Sequence, residues 1–325
     1  MLQTLLVHWT AQLDPVAFTI FGRDVAWYGI IITSSLLIAL WVASKKVKYV
    51  GLTADHLLEF FICIVPVAIL GARLIYVVMR PAEYFVIRNF MDFIEIFAIW
   101  DGGVSIMGAV PFAAGMAWLW CRWRKIDFAT LVDVLFPAVL LGQCIGRWGN
   151  FFNQEIYGAP VLNASQQWFP FAVYIDGLHA AVPGWYQAAF FYESLMTGIA
   201  FFAVLFVTNR LRIRWGGTLC YLFSYGTIRF FMEFVRDNQG LTAGTIISQV
   251  FCALLALGSA GLLAWLIYKD VKAGKKVWYK DKVPPALYPD AKLAVAAATA
   301  TAEPAKDAPK ADAKNEKPQD KKDKK

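Results

Sequence analysis

Residues 245–268 read TIISQVFCALLALGSAGLLAWLIY, twenty-four positions without a charged side chain, and Lys269, Lys272, Lys275 and Lys276 follow. A helix rises 1.5 Å per residue, so this stretch matches the roughly 30 Å hydrocarbon core of a bilayer. In hydrocarbon the backbone N–H and C=O groups find no water, and a lone segment satisfies them only as a helix. Working back along the chain, comparable windows occur at about 25–44, 57–79, 102–121, 128–148, 187–208 and 216–236. The sequence therefore predicts an all-α, polytopic integral membrane protein with seven transmembrane helices.

Composition agrees. Hydrophobic residues make up 58% of the 325 positions and charged residues 17%, against roughly 25% in soluble domains. Of the 31 basic and 24 acidic residues, fifteen and nine lie from Lys269 onward, so most of the net charge of +7 sits in the tail and the body is nearly neutral. That distribution speaks against nucleic acid as a partner. Cys63, Cys121, Cys144, Cys220 and Cys252 lie in apolar stretches without CxxC spacing and read as structural thiols.

Every second junction between windows is basic: Lys45, Lys46 and Lys48; Arg122, Arg124 and Lys125; Arg210, Arg212 and Arg214; then the lysines after 268. Positive residues stay in the cytoplasm, which puts the N-terminus and the 80–101, 149–186 and 237–244 connections outside and the C-terminus inside. The first window follows Asp14, Arg23 and Asp24 and lacks a small-residue cleavage pattern, so it is expected to be retained. Three regions result: an external or interfacial segment over 1–24, a seven-helix membrane domain over 25–268 with an external arm at 159–186, and a Lys/Ala-rich cytoplasmic tail over 269–325, disordered after about 283.

Ionisable residues inside the windows are costly and mark function or pairing. Among them are Arg73, Asp133, Arg147, Glu193, Arg229 and Glu233. Tyr225, Arg229, Glu233 and Arg236 repeat at helical spacing on one stripe, while Phe230, Phe231 and Phe234 point elsewhere. Asp133, Gln143 and Arg147 share a face of the fourth window. Counting rise per residue from the basic junctions puts Arg147 and Arg229 in the outer half of the membrane, where a planar guanidinium suits a lipid phosphate. The densest constellation is GRWGNFFNQEIYG at 146–158, with Asn150, Asn153 and Glu155 between its glycines. A weaker one, WDGGVSIMG at 100–108, carries Ser105.

These residues resemble the prolipoprotein diacylglyceryl transferase family. The 146–158 stretch follows its Gly-Arg-x-Gly-Asn-Phe-x-Asn-x-Glu-x-x-Gly signature. DPVAF at 14–18, WYG at 27–29, GAR at 71–73, GGVS at 102–105, YES at 192–194 and YGTIRFFMEFVR at 225–236 follow in the same order. The resemblance implies transfer of diacylglyceryl from phosphatidylglycerol to the lipobox cysteine of prolipoproteins, with release of glycerol 1-phosphate, in the bacterial inner membrane and at its outer leaflet. It implies Arg229, Glu233, Tyr28 and Glu155 as catalytic residues, and Arg147, Asn150, Gly158 and Tyr225 as the phosphatidylglycerol site. Asn153, Arg73, Asp133, Ser105 and Arg236 stand as supporting positions, and no metal or other cofactor is expected. The chain departs from the family at Met107, where many members have His, and at Gln187-Ala188, where many have His-Pro. His8, His56 and His179 match no family motif, so the resemblance supplies no histidine base. An anionic-solute transporter or channel, or a lipid-binding member without catalysis, are the alternative readings of buried arginines.

Overall fold

A computed structural model describes residues 13–47, 52–85, 89–99, 102–177, 179–180, 182–236 and 243–279. Seven long helices carry the fold: α1 (Trp27–Val47), α2 (Ala54–Val78), α3 (Ile106–Arg124), α4 (Phe128–Phe152), α5 (Ala189–Thr208), α6 (Gly216–Arg236) and α7 (Ala243–Lys272). Each of the seven windows coincides with one of them. By length and composition five are suited to crossing a membrane: α1, α2, α4, α5 and α7 from Thr245. The other two are long enough but more polar: α6 holds Arg229, Glu233 and Arg236, and α3 ends on Arg122 and Arg124. The tail beyond 279, residues 1–12, residues 237–242, Trp100, Asp101, Lys48 and His8 lie outside the described residues.

The all-α expectation needs one correction: the fold is predominantly helical but includes two antiparallel ribbons. β1 (Val16–Ile20) pairs with β2 (Arg23–Ala26) through a turn whose Phe21 and Gly22 both have positive φ, the geometry a tight hairpin requires. β3 (Ala172–Ile175) pairs with β4 (Gly184–Gln187) inside the 159–186 arm. This second ribbon is not a loose surface strap. Val173 and Ile175 are buried with Phe151 and Phe190 in a core that fastens the arm to the ends of α4 and α5.

Local chemistry sets the helix boundaries. Thr53 and His56 form a reciprocal cap at the start of α2, and Asp127 caps α4 by accepting from the Thr130 N–H at 2.9 Å. Two charges within the helices, Glu59 and the sequence-flagged Asp133, prove structural. Glu59 of α2 pairs with Arg124 and accepts from the Trp120 indole at 3.2 Å. Asp133 Oδ1 accepts from the Thr218 backbone N–H at 2.8 Å and its hydroxyl at 2.7 Å, pinning the start of α6 to the start of α4. A side chain at Gly217 would strike the Asp133 carbonyl oxygen at 2.5 Å, so glycine permits this approach.

The main core joins the end of α1 and start of α2 to the end of α3 and start of α4, through Val47, Leu57, Trp120, Leu131 and Val134. Beyond it α2 and α3 pack chiefly on each other, and α4 serves as the hub for α1, α5 and α6. Gly71 and Gly108 bring α2 and α3 together: a Cβ at Gly108 would lie 2.1 Å from the Gly71 carbonyl oxygen. Arg73, only 2% exposed, holds the segment before α3 through backbone carbonyls, with its guanidinium 5.0 Å from the Tyr84 ring. Its Nε donates to Ile96 O at 3.1 Å, Nη2 to Glu95 O at 2.7 Å, and Nη1 to Gly102 O at 2.7 Å and Gly103 O at 3.0 Å.

Replacing Arg73 by Met strips these carbonyls of their donor. Because a buried acceptor left unmatched costs on the order of 1–3 kcal/mol, Arg73→Met should lower stability in detergent by about 2–4 kcal/mol. Amide exchange should quicken around 95–105. Unchanged protection there would refute the clamp.

Candidate functional site

α4 ends in GRWGNFF, residues 146–152, and the site grows from that terminus. Gly149 lets the helix touch α1: a Cβ there would lie 2.9 Å from the Tyr28 ring, so Tyr28 rests where any larger residue would displace it. Three residues along α4 from Arg147, Asn150 is 5% exposed. Its amide donates to Glu155 at 2.7 Å, while Arg147 Nη1 approaches its oxygen at 3.4 Å.

Glu155 is held by an unusual backbone. Gln154 and Ile156, on either side, adopt left-handed conformations with φ of 49° and 57°, costly for any residue with a Cβ and most of all for a β-branched one. The conformation is fixed from several directions. The Glu155 N–H donates to Asn150 O at 3.0 Å, and the buried Gln154 side chain accepts from the Asp176 N–H at 3.2 Å. Glu155 itself is exposed, at the mouth of a cleft of about 240 Å³ shared with Asn150, Tyr157, Val173, Tyr174 and Phe190. Burial, with Tyr186 adding to it, raises the Tyr157 phenol above its ordinary value, so at neutral pH it remains a donor, to His179 O at 2.9 Å.

The centre of the cluster is Glu193 in α5. Its side chain is 3% exposed and shared between helices: Oε1 pairs with Arg147 Nη2 of α4, and Oε2 with Arg236 Nη2 of α6 at 2.6 Å. Arg229 lies two turns along α6 from Arg236, about 10 Å, and pairs with Glu233 at 3.2 Å. Arg236 also feels the charges of Arg147, Arg229 and Glu233, so the groups form one electrostatic unit. Three guanidinium groups thus face two carboxylates, the buried Glu193 and the partly buried Glu233. Among the described residues, Arg229 Nη1 and Arg236 Nε are buried without a hydrogen-bond partner. Idle donors of a buried cation are rare in folded proteins and are what an incoming oxyanion would satisfy.

Arg147, Asn150, Glu155, Arg229, Glu233 and Arg236 are thereby brought into one region, with Tyr28 against it and in the field of Glu155 and Arg147. Tyr225 lies lower on α6, stacked on Tyr221 with ring centroids 5.9 Å apart. Gly158 serves packing: a Cβ there would meet the Val235 carbonyl oxygen and the Gln187 Cβ, each at 2.8 Å. The Asn153 backbone caps α4, donating to Gly149 O at 3.2 Å. Asp133 sits at the opposite end of α4 from Arg147. Arg73 and Ser105 belong to the α2–α3 connection, where Ser105 N–H donates to Ala72 O at 3.0 Å. Met107, 70% exposed, starts α3. Glu193 was missed as a site residue, although it is the sole charge in its window; periodicity within one helix cannot show that two others converge on it.

A family model described as prolipoprotein diacylglyceryl transferase matches residues 15–265. The phosphatidylglycerol–prolipoprotein diacylglyceryl transferase of Listeria innocua is 36% identical over 278 residues, covering 83% of this chain and 95% of that protein. The enzyme of the same name from Finegoldia magna is 33% identical over 267 residues, 81% of this chain and 100% of its own. That of Clostridium kluyveri is 36% identical over 243 residues, 73% and 91% respectively.

Glu193→Gln removes the charge shared by Arg147 and Arg236 while keeping the side chain's shape. Breaking a buried pair in this way costs on the order of 3–5 kcal/mol; with partial exposure of both arginines, a loss of about 2–3 kcal/mol in detergent unfolding is expected. Adding Arg236→Met should recover part of it. Strict additivity in that double-mutant cycle would mean the carboxylate is not shared.

Proposed function

The chain belongs to the prolipoprotein diacylglyceryl transferase family, and from that premise we propose that it moves diacylglyceryl from phosphatidylglycerol to the lipobox cysteine of prolipoproteins, releasing glycerol 1-phosphate. It is a multi-pass membrane transferase of lipoprotein biosynthesis. In this reading all seven long helices span the bacterial inner membrane. The N-terminus and the arm lie outside, the basic junctions and tail lie inside, and the site faces the outer leaflet. The hairpin and residues through 24 form the interfacial segment, residues 25–268 the catalytic body.

The observation that carries the reading is the group of three guanidiniums around two carboxylates, with donor nitrogens of Arg229 and Arg236 unmatched. Arg147, Arg229 and Asn150 hold the phosphate, and Gly158 keeps the signature loop seated against β4 and α6. The cysteine thiolate attacks the glyceryl carbon bearing the phosphate ester. The carbon–sulfur bond forms as the carbon–oxygen bond breaks, and the electron pair leaves on the phosphate oxygen. Guanidiniums fixed beforehand around that oxygen stabilise its charge in a water-poor site without reorganising. The same field favours thiolate over thiol, whose ordinary pKa is about 8.5.

Glu155 takes the thiol proton in this scheme, because its carboxylate bonds an amide and reaches the cleft, whereas Glu193 and Glu233 are engaged by arginines. Tyr28, packed on Gly149, orients the group, and Tyr225 supports Arg229 from the next turn. No histidine enters, consistent with Met107 and Gln187 at the departures. The cleft beside β3 receives the lipobox segment, so lipid and peptide meet at Glu155 from different sides.

Purified protein supplied with phosphatidylglycerol and a lipobox peptide should add one diacylglyceryl mass to the peptide. Arg147→Ala should reduce kcat/KM by about 10²–10³-fold, the range for loss of one fixed oxyanion donor. Glu155→Gln should lower kcat with KM little changed. Wild-type turnover in Arg147→Ala would remove the clamp, and solute flux through vesicles without peptide modification would favour transport.

A further inference from the structure

Lys45 and Lys46 are adjacent yet face different surroundings. Lys45 is exposed and extends over the Trp41 ring at 5.2 Å, as a lysine at a membrane boundary does. Lys46 turns inward and is 9% exposed. Its ammonium meets the Thr208 hydroxyl at 3.2 Å, and among the described residues it enters no ion pair. An ammonium carries three donors, and a buried lysine without a counter-charge is expensive unless an anion meets it or it gives up its proton.

The cavity beside it, about 400 Å³ including its open mouth, is lined by Lys46, Thr208, Arg212, Asp133, Gly216 and Gly217. Two cations face one carboxylate, and that carboxylate is occupied by Thr218 on one oxygen. The start of α6, a 21-residue helix, adds its positive end. Arg212 is fixed from behind: its N–H donates to Val277 O at 2.8 Å, Leu211 bridges Trp278, and its guanidinium lies 5.9 Å from the Tyr279 ring. The cavity is separate from the site described above. Along α4, Asp133 and Arg147 are fourteen residues apart, about 21 Å; along α1, Tyr28 and Lys46 are eighteen apart, about 27 Å.

We propose that this cavity binds a phosphoryl oxyanion, received by Lys46, Arg212 and Thr208, at the end of the bundle remote from the arginine cluster. A phosphate group suits the two cations on geometric grounds, since Arg offers a planar fork and Lys a point charge. A singly charged phosphodiester would balance the excess positive charge of the lining. The source is either free phosphate or a phospholipid headgroup of the leaflet at that end.

The test compares the full-length protein with Lys46→Met, close in shape and uncharged, in two arms. In a neutral detergent, inorganic phosphate is titrated and thermal unfolding followed. In nanodiscs of phosphatidylcholine with or without phosphatidic acid, retained lipid is counted by native mass spectrometry. Binding at the arginine cluster is common to both proteins and cancels. A phosphate response weakened at least tenfold in Lys46→Met identifies a free-phosphate site; one phosphatidic acid fewer retained by the variant identifies a headgroup site. Arg212→Gln should reproduce the loss, which guards against a fold defect peculiar to position 46, and peptide lipidation should stay within twofold in both. Equal behaviour of wild type and both variants in both arms overturns the proposal.

Discussion

A single carboxylate organises this molecule. Glu193 sits 3% exposed on α5 with an arginine from α4 on one oxygen and an arginine from α6 on the other. Neither cation could stay at that depth alone, and the carboxylate could not stay there without them. Three consecutive long helices are therefore fixed in rotation as well as in position. Arg147 and Arg236 cannot turn toward lipid without abandoning the shared anion, and with them are fixed Asn150, one turn on from Arg147, and Arg229, two turns back from Arg236. Among the described residues, Arg229 Nη1 and Arg236 Nε are left buried without a hydrogen-bond partner.

A second constraint is the close approach of backbones at glycine. Gly149 admits the Tyr28 ring, Gly217 admits the Asp133 carbonyl, Gly158 admits Gln187 and Val235, and Gly108 admits Gly71. Apolar helices gain little from burial against one another when lipid is the alternative, so small residues and buried polar ties carry specificity. Here three of these glycine contacts have a polar tie close by: Arg147 to Glu193 for Gly149, Thr218 to Asp133 for Gly217, and Arg73 to the carbonyls before α3 for Gly108. Position is set by the pairs and closeness by the glycines.

The seven helices were legible because apolar length is a strong signal, and all seven windows coincide with long helices. The ribbons were not. VAFTIFGRDVA, at 16–26, alternates as a hairpin would, but a search for 20-residue windows passes over two short strands. Within the site, Arg229, Glu233 and Arg236 could be read from spacing on one helix, and Arg147 with Asn150 and Glu155 from one signature. What spacing could not reveal was which charges were already satisfied. Asp133 looks as telling in sequence as Arg147, yet it is consumed by structure, held by Thr218. Glu193, solitary in its helix, turned out to be central. Side chains that meet across helices leave no trace in the periodicity of any one of them.

The left-handed pair around Glu155 bears on how this protein could evolve. Neither Gln154 nor Ile156 is glycine, and at such φ values each stores on the order of 1–3 kcal/mol. Glycine at either position would relieve that load and make the protein hardier to heat, yet the carboxylate between them would then wander. Heat tolerance and a fixed Glu155 carboxylate thus pull in opposite directions at these two positions.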